Sequence, residues 1–504
     1  MSGRGLWTLG LTLLAAGCAN ILGIEDRVLA TDGGGSGCTS NSQCAVPDAS
    51  FVCVLPEGRC ADLRSEDCQT VTGEPIPDKA IVIGSLFSTT GSQAATNIAR
   101  QNAAALAVEE INVFGGVPTS GGKVRLVMVS CDEATNLQRA GNHLVAELKV
   151  PAIVGPNTSQ DTIDLTQSMT AAAGTLVMSP TAVAASIIDL PDNDLTWRLV
   201  PSDVQRAPLM IKQINDIETQ LKGAPTNLQN IKLGIIWRND ALGKATFESL
   251  NAMSINGKPL SHPDNTNYWK SDAYDYTASD QKTIVDKYVA FKPDIIAAIG
   301  TAEVITRIMQ PIEASWGTGR RPQYVLIDSG KLAELKAAVT ASAADLRTRV
   351  RGTGVAPTSA SEPVLESFYT NYTTRYNGAN PRISGTGPSY DAVYAIAFAI
   401  AHEHDKPITG ANIAAGLRHL TGGSMAAVQV GSSNVLAAFG ALSGGEDINA
   451  LGTHGPLEWN PKGDVTGSLI EMWCVGSSPV EFGKSGLTYN TKTETYSGSY
   501  TQCP

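Results

Sequence analysis

From Lys79 onward, short runs rich in aliphatic residues alternate with longer segments of helical period. This alternation predicts parallel strands joined by crossover helices, and therefore an α/β chain. The helix predicted over 97–114 is typical, since it places Leu106 and Ile111 on one face and ends at Gly115-Gly116, a C-cap signal. The first half contains predicted strands at 80–87, 123–129, 152–154 and 176–178 and predicted helices at 97–114, 137–148 and 162–173.

A second series of the same kind begins after Pro201, so the sequence predicts two doubly wound, Rossmann-like lobes. The turn residues at 461–464 predict a hairpin between strands 457–460 and 468–475. The Gly/Ser/Ala-rich stretch 422–452 is typical of a loop or a loosely packed insertion. The other predicted elements are helices at 205–221, 241–253, 281–291, 303–314, 363–376 and 390–402 and strands at 232–237, 294–299, 324–327 and 351–355.

Length and charge narrow the class of protein. A chain of 504 residues is long enough for roughly three domains or lobes. Its 42% hydrophobic and 17% charged residues exclude a collagen, a coiled coil and general disorder. A net charge of −11 without a long run of Lys or Arg argues against nucleic acid as a partner.

The N-terminus predicts export. Residues 1–17 form a short apolar signal segment, too short for a membrane-spanning helix, which needs about 20 apolar residues. The following Leu14-Ala15-Ala16-Gly17-Cys18 resembles the lipobox of bacterial lipoproteins, which implies lipidation of Cys18 and membrane attachment through this anchor alone. A plain secretory signal ending in a chance Cys is the alternative. The Gly-rich segment at 32–37 predicts a flexible tether.

Eight further cysteines suit an oxidising compartment, and we predict disulfides among them. A metal knuckle is the competing interpretation, but the cluster lacks the C-x2-C pairs that a zinc site usually has. The first five form one cluster, so at least one must pair outside it, stay free or bridge another chain. The candidates are Cys38, Cys44, Cys53, Cys60, Cys68, Cys131, Cys474 and Cys503.

Motifs of catalysis are missing, so the sequence predicts no enzyme, no cofactor and no metal site. There is no G-x-S-x-G nucleophile elbow and no G-x-G-x-x-G after a strand. The spacing within 116–123 does not match a phosphate-binding loop. In His402-Glu403-His404 the two imidazoles are two residues apart, which points them to different helix faces, so a solvated helix end is predicted.

Several motifs in order give a family resemblance, which covers about residues 79–475. The chain resembles the branched-chain amino-acid-binding (Leu/Ile/Val) family of type I periplasmic binding proteins. Each motif is weak alone, but their order and spacing are specific. The motifs are Ile81-Val82-Ile83-Gly84, Thr90-Gly91, AAALAVEEIN at 103–112, Gly115-Gly116-Val117, Ile153-Val154-Gly155-Pro156, Ser179-Pro180-Thr181, Gly455-Pro456-Leu457 and Asn460-Pro461-Lys462-Gly463-Asp464.

The resemblance implies three hinge crossings and a ligand site between the lobes. In the family a Ser after the G-P strand end, matching Ser159, and small residues after the S-P step, matching Thr181, hold the ligand carboxylate. An acid after a lobe-two strand, matching Asp328, holds the amine. The predicted ligand-binding residues are Thr90, Asn157, Ser159, Thr181, Asp240, Thr301 and Asp328.

Some positions depart from the family pattern or allow another role. Leu242 stands where the family often has a Tyr, and Val183 where it often has a Thr. Asp328 is also suited to cap a helix at 331–339, and Ser159 to cap the helix through Thr162. The expected ligand is therefore a small polar molecule, with an amino acid as one candidate.

The resemblance implies a solute-binding lipoprotein that serves an ABC-type permease, at the periplasmic face of a membrane or at the cell surface. The alternative is an outer-membrane lipoprotein that uses the same fold to sense or contact an envelope protein. The predicted segments are a signal peptide at 1–17, anchor and tether at 18–37, a Cys-rich neck at 38–75, lobe one at 76–203 and 352–450, and lobe two at 204–351 and 451–504.

Overall fold

The structure is a computed structural model that describes residues 37–44, 50–74, 79–342, 345–424 and 426–504. The predicted signal peptide 1–17, the lipidated Cys18 and the tether up to residue 36 lie outside the described residues and remain predictions. Within the described ranges, no helix combines the length and the apolar character needed to cross a membrane.

Lobe one is built on a six-stranded sheet that is covered on both faces. Side chains of Ile81–Phe87 pack alternately, with Ile83 in the cluster on one face and Leu86 in the cluster on the other. Five strands are parallel and the sixth is an antiparallel edge. In spatial order they are Thr196–Arg198, Leu176–Ser179, Ala152–Val154, Ile81–Phe87, Leu126–Asp132 and Thr70–Thr72.

Helix Thr386–His402 forms the centre of lobe one. Every residue from Thr386 to Ala401 is buried, which agrees with a sequence that is apolar on all sides. It packs on Ala94–Val113, where Ala103 and Ala107 let the two backbones approach closely. Further helices of this lobe are Glu133–Asn142, Ser159–Leu165, Glu362–Arg375, Gly410–Leu417 and Val435–Ser443.

Lobe two is built on an eight-stranded mixed sheet, also covered on both faces. Ile236 and Ile296 pack into one cluster, and Ile235 and Ile295 into the other. In spatial order the strands are Trp269–Tyr274, Leu233–Arg238, Ile295–Ile299, Gln323–Leu326, Val350–Ala356, Leu469–Val475, Phe482–Asn490 and Thr495–Ser497. Its helices include Asp203–Lys222, Ala241–Leu250, Lys282–Phe291, Gln310–Ser315, Ala333–Ala341 and Leu346–Arg349.

The chain passes between the lobes three times, which confirms the predicted two-lobed fold. It leaves lobe one after strand Thr196–Arg198 and enters lobe two at helix Asp203–Lys222. It returns between strand Val350–Ala356 and helix Glu362–Arg375, and crosses again before strand Leu469–Val475.

A buried ion pair joins the first crossing to the third. Arg198, with no exposed surface, donates from Nε to Asp464 Oδ1 at 2.7 Å. Its Nη1 donates to the Ala184 backbone oxygen at 2.7 Å, and its backbone oxygen accepts from Trp459 Nε1, also at 2.7 Å. One arginine therefore ties together both crossings and a loop of lobe one.

The Cys-rich neck is part of lobe one. Val52 and Leu63 of the neck share a buried cluster with Val129 and Leu144. Strand Thr70–Thr72 extends the lobe-one sheet. Four disulfides confirm the prediction that these cysteines form disulfides, and one of them leaves the neck, which was one of the three options for the odd cysteine of the cluster. They are Cys38–Cys53, Cys44–Cys60, Cys68–Cys131 and Cys474–Cys503.

Two local predictions were wrong. Strand Leu469–Val475 pairs with Val350–Ala356 and Phe482–Asn490 rather than with 457–460, because the wider sheet offers it two full partners. The stretch 422–452 is not loosely packed. It contains helix Val435–Ser443, whose Phe439 lies in the lobe-one core, because small residues let this helix approach closely.

Loss of the Cys68–Cys131 disulfide should destabilise the protein. The bond closes a loop of 63 residues, so the Cys68→Ala/Cys131→Ala variant should lose about 4 kcal/mol of unfolding free energy. Urea unfolding under oxidising conditions measures this. The Cys474→Ala/Cys503→Ala variant, which opens a loop of 29, is the control and should lose less. Equal stability of the first variant and the parent would contradict the prediction.

Candidate ligand-binding cleft

The loops at the carboxyl ends of the parallel strands of both lobes border one cleft, as is general for open α/β sheets. Each predicted ligand-binding residue lies in such a loop or at the start of the helix that follows it. In lobe one they follow Ile81–Phe87, Ala152–Val154 and Leu176–Ser179, and they are Thr90, Asn157, Ser159 and Thr181. In lobe two they follow Leu233–Arg238, Ile295–Ile299 and Gln323–Leu326, and they are Asp240, Thr301 and Asp328.

The lobes touch each other across this cleft. Ala182 and Ile187 of lobe one form a buried cluster with Ala245 of lobe two. A cavity of about 10 Å³ beside Arg206 and Thr353 has room for about one water.

Asn157 and Thr181 form a polar pair on the wall of lobe one. The Thr181 hydroxyl donates to the Asn157 backbone oxygen at 2.6 Å and to Asn157 Oδ1 at 3.1 Å. Asn157 Oδ1 also accepts a hydrogen bond from Arg100. The structure thus brings two of the predicted residues together and adds a guanidinium that the sequence analysis did not single out.

Ser159 lies behind this wall and stabilises the loop that forms it. Its buried Oγ accepts hydrogen bonds from the backbone N–H groups of Val183 and Ala184, both at 3.0 Å. The helix that begins at Ser159 is capped by Thr158, whose side chain accepts from Asp161 N. The Ser159 hydroxyl therefore fixes the loop that carries Thr181.

Thr90 lies further out, on an exposed part of the cleft. Its hydroxyl donates to Asp132 Oδ2 at 2.6 Å. Glu133, which follows Asp132 in the chain, is 5% exposed and accepts a hydrogen bond from the Ser88 hydroxyl at 3.1 Å. Burial, together with the charge of Asp161, raises the pKa of Glu133 well above its ordinary value.

On the lobe-two side, Asp328 is bound by an arginine. Arg206 Nη1 donates to Asp328 Oδ1 at 3.0 Å, and Nη2 donates to Oδ2 at 2.5 Å. Burial alone raises the pKa of Asp328, but the Arg206 charge and its hydrogen bonds outweigh this and hold it below the ordinary value. Asp328 does not cap the next helix, which begins at Ala333 after Leu332 as N-cap.

A second lobe-two group connects Asp240 and Thr301 through Arg238. Arg238 Nε lies 2.6 Å from Asp240 Oδ2, and Nη1 donates to Thr301 Oγ1 at 3.3 Å. Asp240 also caps its helix by accepting from Gly243 N at 3.0 Å. The neighbouring Glu303 accepts from the Thr301 backbone N–H at 3.0 Å. Arg238 is therefore already matched by carboxylates of its own lobe.

The arginines of the cleft were missed by the sequence analysis. Arg100 stands in a helix of lobe one, and Arg206 near the start of a lobe-two helix. No motif in the sequence marked Arg100, which stands between Ala99 and Gln101. The Arg206 partner, Asp328, is 122 positions away, and no local pattern joins the two.

At the hinge, a buried acid borders a second cavity, of about 20 Å³, between the crossings. Asp391, which is 3% exposed, accepts from Thr453 N at 2.9 Å and from Thr453 Oγ1 at 2.7 Å. Burial raises the pKa of Asp391 to about 7, although the Thr453 hydrogen bonds lower it. Leu199, Val355 and Ser468, one from each crossing region, line the same cavity.

Residues 80–431, more than half of the chain, match a sequence family described as periplasmic binding protein. We found no curated protein that matches the chain at a significant level. Solved structures of other proteins do match the chain. Their sequence identities to it are low, so the likeness shows a shared fold and nothing more.

Three of them illustrate the range. A branched-chain amino acid transporter substrate-binding protein from Streptococcus pneumoniae, in complex with isoleucine, is 19% identical, with a TM-score of 0.56, over 81% of this chain and 100% of that one. A leucine-binding protein from Thermotoga maritima is 16% identical, with a TM-score of 0.56, over 80% and 98%. A solute-binding protein from R. palustris, in complex with benzoate, is 12% identical, with a TM-score of 0.56, over 84% and 99%.

Removal of Arg206 should leave the largely buried Asp328 without its hydrogen-bonded counter-charge. We expect Arg206→Met to lower the unfolding free energy by about 3–5 kcal/mol at pH 7. Arg206→Met/Asp328→Asn should recover part of this loss. The deficit of the single variant should shrink on acidification to pH 4.5, because its Asp328 then takes up a proton. Urea unfolding at both pH values measures these differences, and a double variant no more stable than the single one would refute the assignment.

The Asp391→Asn variant should alter how stability depends on pH. Folded Asp391 keeps its proton up to about pH 7, whereas its ordinary pKa is 3.8, so this group makes the wild type less stable as pH rises between these values. Asn stays neutral. Relative to wild type, the variant should therefore gain up to about 4 kcal/mol between pH 4 and pH 8. Chemical unfolding at several pH values tests this, and parallel profiles would contradict it.

Proposed function

We propose that this chain, which belongs to the periplasmic binding protein family, captures a small polar ligand between its lobes and delivers it to an ABC-type permease. The observation that carries the proposal is the cleft itself. Asn157 and Thr181 on lobe one, and the pair of Arg206 and Asp328 on lobe two, present polar groups to this cleft, and the charge of Asp328 acts on Arg100 of the facing lobe.

Hinge closure supports the same function. The lobes are joined by three narrow crossings, and the cluster of Ala182, Ile187 and Ala245 gives them a small apolar contact. Such an arrangement allows opening to admit a ligand and closing around it. A permease then distinguishes loaded from unloaded protein by the angle between the lobes.

The proposal includes attachment to a membrane through lipidated Cys18, with the protein facing the periplasm or the cell surface. The Gly-rich segment at 32–37 would let the body stand away from the membrane. In this proposal the protein catalyses no reaction and needs no cofactor or metal. In the described cleft the polar side chains form hydrogen bonds with one another, and this arrangement suits ligand binding.

Ligand binding should stabilise the folded protein. At a ligand concentration of 100 Kd, the unfolding free energy should rise by about 2.7 kcal/mol, since the ligand binds the folded state alone. We would measure Tm for the full chain against a panel of amino acids, carboxylates, amides and polyamines. Thr181→Val should weaken the response, whereas Thr374→Val, on an exposed helix position outside the cleft, should keep it.

The outcomes separate the two candidate functions. A ligand-dependent rise in Tm that is reduced in Thr181→Val supports solute capture. Unchanged Tm across the panel, from protein that is folded by circular dichroism, would overturn solute capture and favour the alternative, a sensing or interaction module of the envelope.

A further inference from the structure

Arg100 is an arginine of the cleft without an ionic partner. Its Nε donates to the Ser384 backbone oxygen at 2.8 Å, and Nη1 donates to Asn97 Oδ1 at 3.0 Å and to Asn157 Oδ1. All of these acceptors are neutral. Among the described residues, no carboxylate forms a salt bridge with Arg100, and its Nη2 group makes no hydrogen bond.

Two acids, Asp328 and Glu133, act on Arg100 from a distance, and neither forms a hydrogen bond or salt bridge with it. Asp328 is held by two hydrogen bonds from Arg206. Glu133 accepts hydrogen bonds from the Ser88 hydroxyl and from the Asn157 backbone N–H, and none from Arg100. Burial lowers the pKa of Arg100 to about 10, which still leaves the guanidinium charged at neutral pH. Among the described residues, the Arg100 guanidinium therefore has no carboxylate in direct contact with it.

A partly buried cation without a counter-charge costs free energy, and a bound anion removes this cost. A guanidinium presents its N–H groups in a planar fork that matches a carboxylate. Asn157 and Thr181, which lie against Arg100, offer further polar atoms on the same wall. On the facing lobe, Arg206 has a buried Nε that lacks a hydrogen-bond partner in the described chain.

We propose that Arg100 anchors the carboxylate of a small organic acid, and that the ligand has no ammonium group because Arg206 already occupies Asp328. This inference rests on the proposed function and names its ligand class. A 2-amino acid would place its ammonium near two guanidinium groups and an acid that is already paired. The corresponding 2-oxo acid has the same carbon skeleton and carboxylate without that charge.

The test compares matched ligands on the full-length protein by Tm shift and isothermal titration calorimetry. The pairs are 4-methyl-2-oxopentanoate with leucine, and pyruvate with alanine. Benzoate and benzamide form a third pair, which removes the carboxylate charge while keeping the ring. We expect at least one acid to bind, with Kd at least tenfold lower than that of its amino acid or amide.

Three variants locate the anchor. Arg100→Gln should weaken acid binding by about tenfold to a hundredfold, because a charge-assisted hydrogen bond is lost. Arg100→Lys should fall between the wild type and Arg100→Gln, since it keeps the charge but not the fork. Arg382→Gln is the matched control, because Arg382 is exposed and paired with Glu366 outside the cleft, and it should bind as the wild type does.

The Asp328→Asn variant should change the affinity for acids in the direction opposite to that of the Arg100 variants. If the ligand is an anion, loss of the acid should strengthen binding, because Arg206 then lacks its counter-charge. If the ligand is held by an ammonium, the same change should abolish binding. If Asp328→Asn does not fold, the order of the acid affinities of wild type, Arg100→Lys and Arg100→Gln still tests the proposal.

The outcomes are distinct. The inference is supported if acids bind most tightly to the wild type, less tightly to Arg100→Lys and least tightly to Arg100→Gln. Amino acids that bind more tightly than their matched 2-oxo acids, or acid binding that Arg100→Gln leaves intact, would overturn the inference and leave solute capture standing. No binding in any arm, including amides and polyamines, would overturn the proposed function and this inference together.

Discussion

The ion pair of Arg198 and Asp464 holds the meeting point of the two lobes. Arg198 is without solvent contact, and each of its hydrogen bonds reaches a different segment: the third crossing through Asp464, and the loop that ends at Ala184. A buried pair of this kind is costly to form and costly to break, so its main effect is to specify one arrangement of the chain. The cleft depends on this arrangement, because the same loop carries Thr181.

A second constraint is the burial of both sheets on both faces. Parallel strands covered on each side require helical crossovers, and these place the free loops at the carboxyl ends of the strands. That rule could be applied to the sequence, since the apolar runs and helical periods were clear. It is why the two lobes and the main strands could be predicted, whereas Asn157 and Thr181 were identified through the family resemblance.

Contacts between distant positions could not be predicted. The bonds from Arg206 to Asp328, and the surroundings of Arg100, depend on loops that meet only after both lobes have formed. The ligand-binding roles of the seven predicted residues stay predictions, although their positions in the cleft are now described. The stretch 422–452 was misjudged because Gly, Ser and Ala suggest a loop, whereas in a crowded core small side chains permit close packing.

The disulfide of Cys68 and Cys131, with strand Thr70–Thr72, makes the neck and lobe one a single rigid piece. The disulfide of Cys474 and Cys503 fastens the last residues to lobe two in the same way. The two described ends of the chain are thus carried by different lobes. The distance between these two ends is therefore set by the angle between the lobes.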